Sequence, residues 1–253
     1  MAILPRKRTD NASPTPFVIS DSGRAIYQNG TYLKHNPSWH MEESPFKVKQ
    51  ILRMMKRQNL VPKTVCDVGC GAGVVLAKLQ MYLPKECICW GYDVSPDAIG
   101  MCAERSNKNL SFCVRDIRHD QCDLFFDLLL MLDVFEHVDD YIGLVRDARA
   151  KARHKLFHIP LDLSVQAVIR KNGLLKRRDN FAHLHYFTKE TALRTLTDVG
   201  YGLVDYFFTP RCIELGDELV QKIARTPRRL CFAVAPDITV RFLGGYSLMV
   251  LAK

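Results

Sequence analysis

The sequence predicts an α/β fold, a doubly wound and mainly parallel sheet with helices on both faces. Three observations carry that reading. From residue 45 onward, short runs that are apolar throughout alternate with segments of helical periodicity, as strands buried on both faces of a parallel sheet require. The first such run opens through Gly69-Cys70-Gly71-Ala72-Gly73 into a helical pattern. Successive runs then close near Asp93, Asp116 and Asp133, so that carboxylates collect where parallel strands stop.

The elements follow in order. Phe46, Val48, Ile51, Leu52 and Met55 recur at helical spacing between basic residues. Thr64–Val68 reads as the first strand and Val74–Leu83 as its helix; Cys87–Tyr92 is the second strand and Pro96–Arg105 the next helix. Leu110–Val114 and Asp127–Leu132 are the third and fourth strands, Tyr141–Ala152 a helix, and Lys155–Ile159 the fifth strand. Lys189–Val199 is a helix, Leu203–Phe208 the sixth strand, and Tyr246–Ala252 an apolar run of strand length. Residues 1–44 show little periodicity and form an arm, with Tyr27 to Glu43 as an ordered cap; residues 45–253 form one domain. Two stretches, about 160–188 and 210–245, break the alternation. Structureless loops of that length are uncommon in compact domains, so both are expected to hold helices and to act as lids over a ligand site.

Bulk properties narrow the function. The net charge is +9, but the densest basic runs, Arg6-Lys7-Arg8, Lys176-Arg177-Arg178 and Arg228-Arg229, do not interleave with aromatic residues, which weighs against a nucleic-acid partner. The nine cysteines include Cys66, Cys87, Cys89 and Cys231 within apolar runs that read as strands; these behave as small buried hydrophobes. Neither a Cys-x-x-Cys pair nor zinc-like cysteine and histidine spacing occurs, so no metal site and a reducing, cytoplasmic setting are expected. No apolar run approaches the roughly 20 residues of a membrane span, and none of signal-peptide length follows the early basic residues.

A glycine loop after the first strand permits positive φ and close backbone approach, and the following helix offers unpaired amides. Alone it fits many nucleotide ligands. Asp93 lies 24 residues beyond Gly69, where a carboxylate accepts from both hydroxyls of a ribose. Asp116 follows the third strand, positioned to accept from an adenine amino group with Ile117 against the ring, and Asp133 closes the fourth strand, where it meets an amino-acid end of the ligand. A dinucleotide fingerprint would need glycine where Val74 stands.

These residues resemble the class I S-adenosylmethionine-dependent methyltransferases, small-molecule type. The resemblance rests on Val65-Cys66-Asp67-Val68-Gly69-Cys70-Gly71-Ala72-Gly73, Gly91-Tyr92-Asp93-Val94-Ser95, Arg115-Asp116-Ile117 and Leu132-Asp133-Val134-Phe135-Glu136-His137-Val138, and spans roughly residues 51–209 plus the last strand. It implies seven strands with an antiparallel last strand. It also implies that S-adenosylmethionine is held by Asp67, Gly69, Cys70, Gly71 and Gly73 at the methionine portion, by Asp93 and Val94 at the ribose, and by Asp116 and Ile117 at the adenine. Asp133 and Val134 complete the site.

Methyl transfer is an in-line displacement that needs positioning and exclusion of water, with a base only for a hydroxyl or a protonated amine. The candidate bases are His137, His158, His183 and His185; the last two share a face if their segment is extended. A metal built on that pair lacks an identifiable third ligand. Tyr32, Trp39 and His40 in the arm are candidate contacts to the acceptor. The acceptor expected is an oxygen or nitrogen of a small molecule, sugar or lipid-linked metabolite. RNA or protein methylation, and cofactor binding without catalysis, are the alternative readings.

Overall fold

The structure is a computed structural model that describes residues 25–119, 124–215 and 219–253. Two short helices, α1 (Ala25–Gln28) and α2 (Thr31–His35), precede α3 (Ser44–Arg57). The alternation then runs β1 (Thr64–Val68), α4 (Val74–Gln80), β2 (Ile88–Asp93), α5 (Pro96–Cys102), β3 (Leu110–Val114), β4 (Phe126–Leu132), α6 (Tyr141–Ala148) and β5 (Ala152–Pro160). Beyond it come α7 (Val165–Ile169), α8 (Gly173–Phe181), α9 (Lys189–Asp198), β6 (Leu203–Thr209), α10 (Arg211–Glu214), α11 (Leu219–Val234), α12 (Pro236–Phe242) and β7 (Ser247–Ala252).

The seven strands form one sheet in the order β3-β2-β1-β4-β5-β7-β6. β1 to β5 pair in parallel, whereas β7 inserts antiparallel between β5 and β6. The doubly wound class and the antiparallel last strand are therefore as the sequence reads. β7 is buried along its whole length, and β4 almost so, which explains their uninterrupted apolar runs. One apolar layer joins Ile51, Met54, Leu76 and Leu79 under α3 and α4. The other joins Phe135, Leu144, Val145 and Leu196 under α6 and α9. The order reverses beside β1, between β2 and β4, so the crevice at the carboxyl ends of these strands is where such sheets take ligands.

Several boundaries differ for identifiable reasons. α5 and α6 stop early and tighten into 3₁₀ turns at Ala103–Arg105 and Arg149–Lys151. β5 begins at Ala152, three residues before the apolar run, because Ala152 and His154 pair with Phe126 and Leu128 of β4, and Lys155 is buried with its Nζ donating to the Ala152 carbonyl at 2.6 Å. Cys231 corrects the cysteine reading: its run is a turn of α11 and the thiol is exposed. Cys66, Cys87 and Cys89 are buried.

The stretch 160–188 holds α7 and α8, and 210–245 holds α10, α11 and α12. Arm and first insertion meet where Ile26 and Tyr32 pack on Ala182. Residues 1–24 of the expected arm, including the run Arg6-Lys7-Arg8, and residues 216–218 of the second stretch lie outside the described residues. No helix among the described residues is long and apolar enough to cross a membrane.

Close packing behind the glycine loop depends on Gly91. A Cβ there would lie 2.3 Å from Phe112 Cδ1 and 2.9 Å from Cys70 Sγ. Gly91→Ala is expected to lower stability by about 1–3 kcal/mol in chemical denaturation. Combined with Phe112→Leu, its cost should be smaller than the sum of the two single losses. Unchanged stability of the single variant would contradict this packing.

Candidate functional site

β1 delivers the chain into its loop with Asp67 at the strand end, 2% exposed. Gly69, Gly71 and Gly73 adopt φ of 74°, 54° and 73°, a left-handed conformation that other residues take at a cost. The amides of Gly69 and Cys70 donate to the Tyr92 carbonyl at 2.7 and 3.1 Å, locking the loop onto β2. Close approach also requires glycine: a Cβ on Gly69 would meet Val134 Cγ2 at 2.6 Å, and one on Gly71 would meet Trp39 Cδ1 at 2.6 Å. The Cys70 side chain is buried behind the loop beside Cys102.

The acidic residues do more than face a ligand. Asp93 accepts from the Gly71 amide (Oδ2, 2.9 Å) and the Ser95 amide (Oδ1, 2.9 Å), so it shapes the loop it adjoins. Burial raises its carboxyl above the usual range, against the pull of those amides. Asp116 is held by Arg118 in a fork, Nε to Oδ1 at 3.1 Å and Nη2 to Oδ2 at 2.8 Å. Burial raises Asp67 to about 7, with Lys47 opposing the shift.

Two cavities adjoin at this edge of the sheet. The larger, about 290 Å³, is lined by Tyr92, Asp93, Val94, Arg115, Asp116, Ile117, Arg118, Val134, Val138 and Leu144 among others. The smaller, about 160 Å³, is lined by Asp67, Cys70, Lys47, Asp162, Arg177, Phe181, His183, Arg211 and Tyr246 among others. Tyr32, Trp39, Gly69, Asp133 and His137 line both. The two cavities thus share one wall.

Asp133 is the centre of that wall. It sits in the left-handed region at φ 57°, and its amide donates to the His158 carbonyl at 2.9 Å. One carboxylate oxygen pairs with Lys47 Nζ at 2.8 Å and the other with His158 Nδ1 at 2.6 Å. His158 Nε2 lies 2.8 Å from Thr209 Oγ1. Burial works against ionisation, but His158 and Lys47 outweigh it and hold Asp133 well below the usual carboxylate range.

The four candidate histidines separate. The parallel register sets Leu132 opposite His158, which places this ring, 1% exposed, behind Asp133 and outside both cavities. His158 is therefore a positioning residue rather than a base that meets an acceptor. His183 and His185 do not share a face, because residues 182–188 pair with no strand. Instead the amides of Leu184 and His185 both donate to the Glu136 carbonyl. His183 turns to Asp162 and the smaller cavity, whereas His185 Nε2 lies 3.0 Å from the Val138 carbonyl and its ring against Tyr141. The pair that does form is His137 with His183, ring centroids 4.8 Å apart. Burial and the neighbouring His183 lower His137 to about 3.

Tyr32, Trp39 and His40 come together over the crevice. The Tyr32 and Trp39 rings are 4.9 Å apart, and His40 lies 5.6 Å from Phe181 of α8. Tyr32 and Trp39 line both cavities and His40 the smaller one. Lys47, Asp162, Arg177, Arg118 and Arg211 were not legible as site residues. Their charges look like an ordinary solvated face until the fold pairs Asp162 with Arg177 at 3.3 Å and Arg211 with Glu43.

The sequence model of the methyltransferase-domain family matches residues 39–206. Among solved structures, magnesium protoporphyrin IX methyltransferase from Synechocystis with bound S-adenosylhomocysteine superposes at TM-score 0.59 and 15% identity, covering 91% of this chain and 98% of that one. The N-methyltransferase NodS from Bradyrhizobium japonicum, also bound to S-adenosylhomocysteine, gives 0.57 and 18%, covering 88% and 97%. A methyltransferase from Archaeoglobus fulgidus gives 0.56 and 19%, covering 83% and 97%. No curated protein matches the sequence significantly.

The ion pair at the shared wall has a measurable role. Lys47→Met leaves a mostly buried Asp133 with only His158, and is expected to cost about 2 kcal/mol or more at neutral pH. Because Asp133 is lowered when folded, its contribution is fully present above its unfolded pKa of about 3.9 and is lost as pH falls from there through the lower folded pKa. The gap between wild type and variant in denaturant titrations should therefore narrow in acid. An equal gap at pH about 3 and about 7 would contradict the assignment.

Proposed function

Because the chain belongs to the methyltransferase-domain family and is an S-adenosylmethionine-dependent methyltransferase, we propose that it seats the cofactor across both cavities and methylates an oxygen or nitrogen of a small-molecule, sugar or lipid-linked acceptor. The observation that carries this reading is the shared wall. A single ligand whose adenosine fills the larger cavity must pass Gly69 and Asp133 to place its methionine portion in the smaller one.

In this seat Asp116 and Ile117 contact the adenine, with Arg118 sharing the Asp116 carboxylate. Asp93 accepts from the backbone amides of Gly71 and Ser95, and the Val94 amide also favours its ionised form. A carboxylate offers about four lone-pair sites, so acceptors remain for ribose hydroxyls. Val94 and Val134 supply apolar walls. Asp67, Gly69, Cys70 and Gly71 surround the methionine portion, where a cationic ammonium would favour the ionised form of Asp67; Gly73 lines neither cavity, and its tight packing against Phe112 and Cys102 shapes the loop.

The acceptor then enters the smaller cavity beneath Tyr32, Trp39, His40 and Phe181. Its enclosure by the arm and the first insertion supports a compact acceptor, and exclusion of water favours displacement at the sulfonium methyl. Of the candidate histidines, His137 and His183 are the two that line this cavity. Two arginines line this cavity, yet Arg177 faces Asp162 and Arg211 faces Glu43, which weighs against a polyanionic nucleic acid there.

Transfer of tritiated methyl groups to separated metabolite, protein and nucleic-acid fractions tests the acceptor class. Label is expected in the metabolite fraction; label confined to RNA or protein would overturn it. The Asp67 carboxyl generates a second expectation. With its pKa raised to about 7 in the free protein, cofactor binding that ionises it must release a proton below that pH. Affinity should then fall by up to about tenfold per unit as pH drops below 7. A flat affinity across that interval would contradict the contact.

A further inference from the structure

One carboxylate beside the shared wall has no explanation in the cofactor seat. Glu136 is 1% exposed, and neither of its carboxylate oxygens has a hydrogen-bond partner. A buried unpaired charge costs several kcal/mol, and a protonated carboxyl there would still leave its O–H without an acceptor. A bound cation resolves both.

The neighbouring imidazoles are arranged for that cation. His137 directs Nδ1 at the Ala182 carbonyl, 3.2 Å away, and His183 directs Nδ1 at Asp162 Oδ2, 2.5 Å away. In each ring Nδ1 is thereby engaged and Nε2 remains for a ligand. Metal-binding histidines are oriented in this way by a carbonyl or carboxylate on the other nitrogen. His137 Nε2 stands 3.7 Å from Glu136 Oε1, and one ligand atom from each of Glu136, His137 and His183 lies within 4.8 Å of the others. Three points that close share a centre at most about 2.8 Å from each, which small side-chain rotations bring to the roughly 2.0–2.2 Å of metal bonds to imidazole and carboxylate.

We propose that Glu136, His137 and His183 form a binding site for a divalent first-row transition ion, with Asp162 positioning His183 and Arg177 positioning Asp162. Two imidazoles and one carboxylate suit Zn²⁺, Fe²⁺, Co²⁺ or Mn²⁺ and leave open positions. Both histidines line the smaller cavity, so those positions face the proposed acceptor. The role of the ion rests on the methyltransferase seat described above: it would hold an acceptor hydroxyl and lower its pKa, which favours oxygen over nitrogen as the methylated atom. Binding of the ion does not depend on that role. The ligand set thus pairs His183 with His137 rather than with His185, and adds Glu136, adjacent in sequence to His137 and not assigned to any site by the sequence.

The test uses the full chain stripped with a chelator and titrated with Co²⁺ or Zn²⁺. One equivalent of Co²⁺ should bind with visible d–d bands of a nitrogen- and oxygen-ligated site, and Zn²⁺ should displace it. Glu136→Gln and His183→Gln should abolish the bands, and Asp162→Asn should weaken binding by about 10–100-fold. Absence of bands in the wild type, or equal Co²⁺ affinity in wild type and both ligand variants, would overturn the site. If one variant fails to fold, the other decides. Calorimetry with S-adenosylmethionine on the same samples separates the two readings: a chain that binds the cofactor but takes up no Co²⁺ or Zn²⁺ sinks the metal site alone, and one that takes up metal but binds no cofactor sinks the seat alone.

Discussion

The Asp133 carboxylate is the contact on which the rest of the site depends. Through Lys47 it ties α3 to the end of β4, and through His158 it ties that end to β5. Thr209 extends the chain of contacts to β6. Parallel strands by themselves would leave three loose strand ends and a helix beside them. One ionised carboxylate in a left-handed conformation turns those ends into a fixed wall. From that wall the segment through Val134, Glu136 and His137 departs at a set angle, with Val134 against Gly69 on one side and His137 toward His183 on the other.

The same geometry divides the crevice chemically. On one side Asp93 and Asp116 are already engaged by backbone amides and by Arg118, so the larger cavity is prepared before any ligand arrives. On the other side charges of both signs face one another across the smaller cavity: Glu43 with Arg211, Asp162 with Arg177. Paired charges keep their side chains in place, which suits a site that must hold two reactants in line. The aromatic arm closes the crevice from above, and its Trp39 can rest on the loop only because Gly71 has no side chain.

Much of this was legible in the sequence because it is local. β1 and β3 coincide with their apolar runs, and the carboxylates of Asp67, Asp93, Asp116 and Asp133 stand out at the ends of those runs. What sequence could not supply was pairing across distance. Nothing near Lys47 marks it as the partner of Asp133. His158 falls behind Asp133 through the β4–β5 register, and alternation placed His183 and His185 together where the observed segment has no strand partner to enforce it. Glu136 stands in the most recognisable motif, yet its lack of a hydrogen-bond partner exists only in three dimensions. Basic residues hid the start of β5, and the helical run around Cys231 imitated a strand.

The central claim is that one cofactor spans two cavities joined at Gly69 and Asp133. Calorimetric titration with S-adenosylmethionine tests it most directly when the wild type is compared with Asp93→Ala. The account predicts one site in the wild type and at least a tenfold loss in the variant, in keeping with about 1.5–3 kcal/mol for hydrogen bonds to a charged group. No binding by the folded wild type, or equal affinity in the variant, would contradict it.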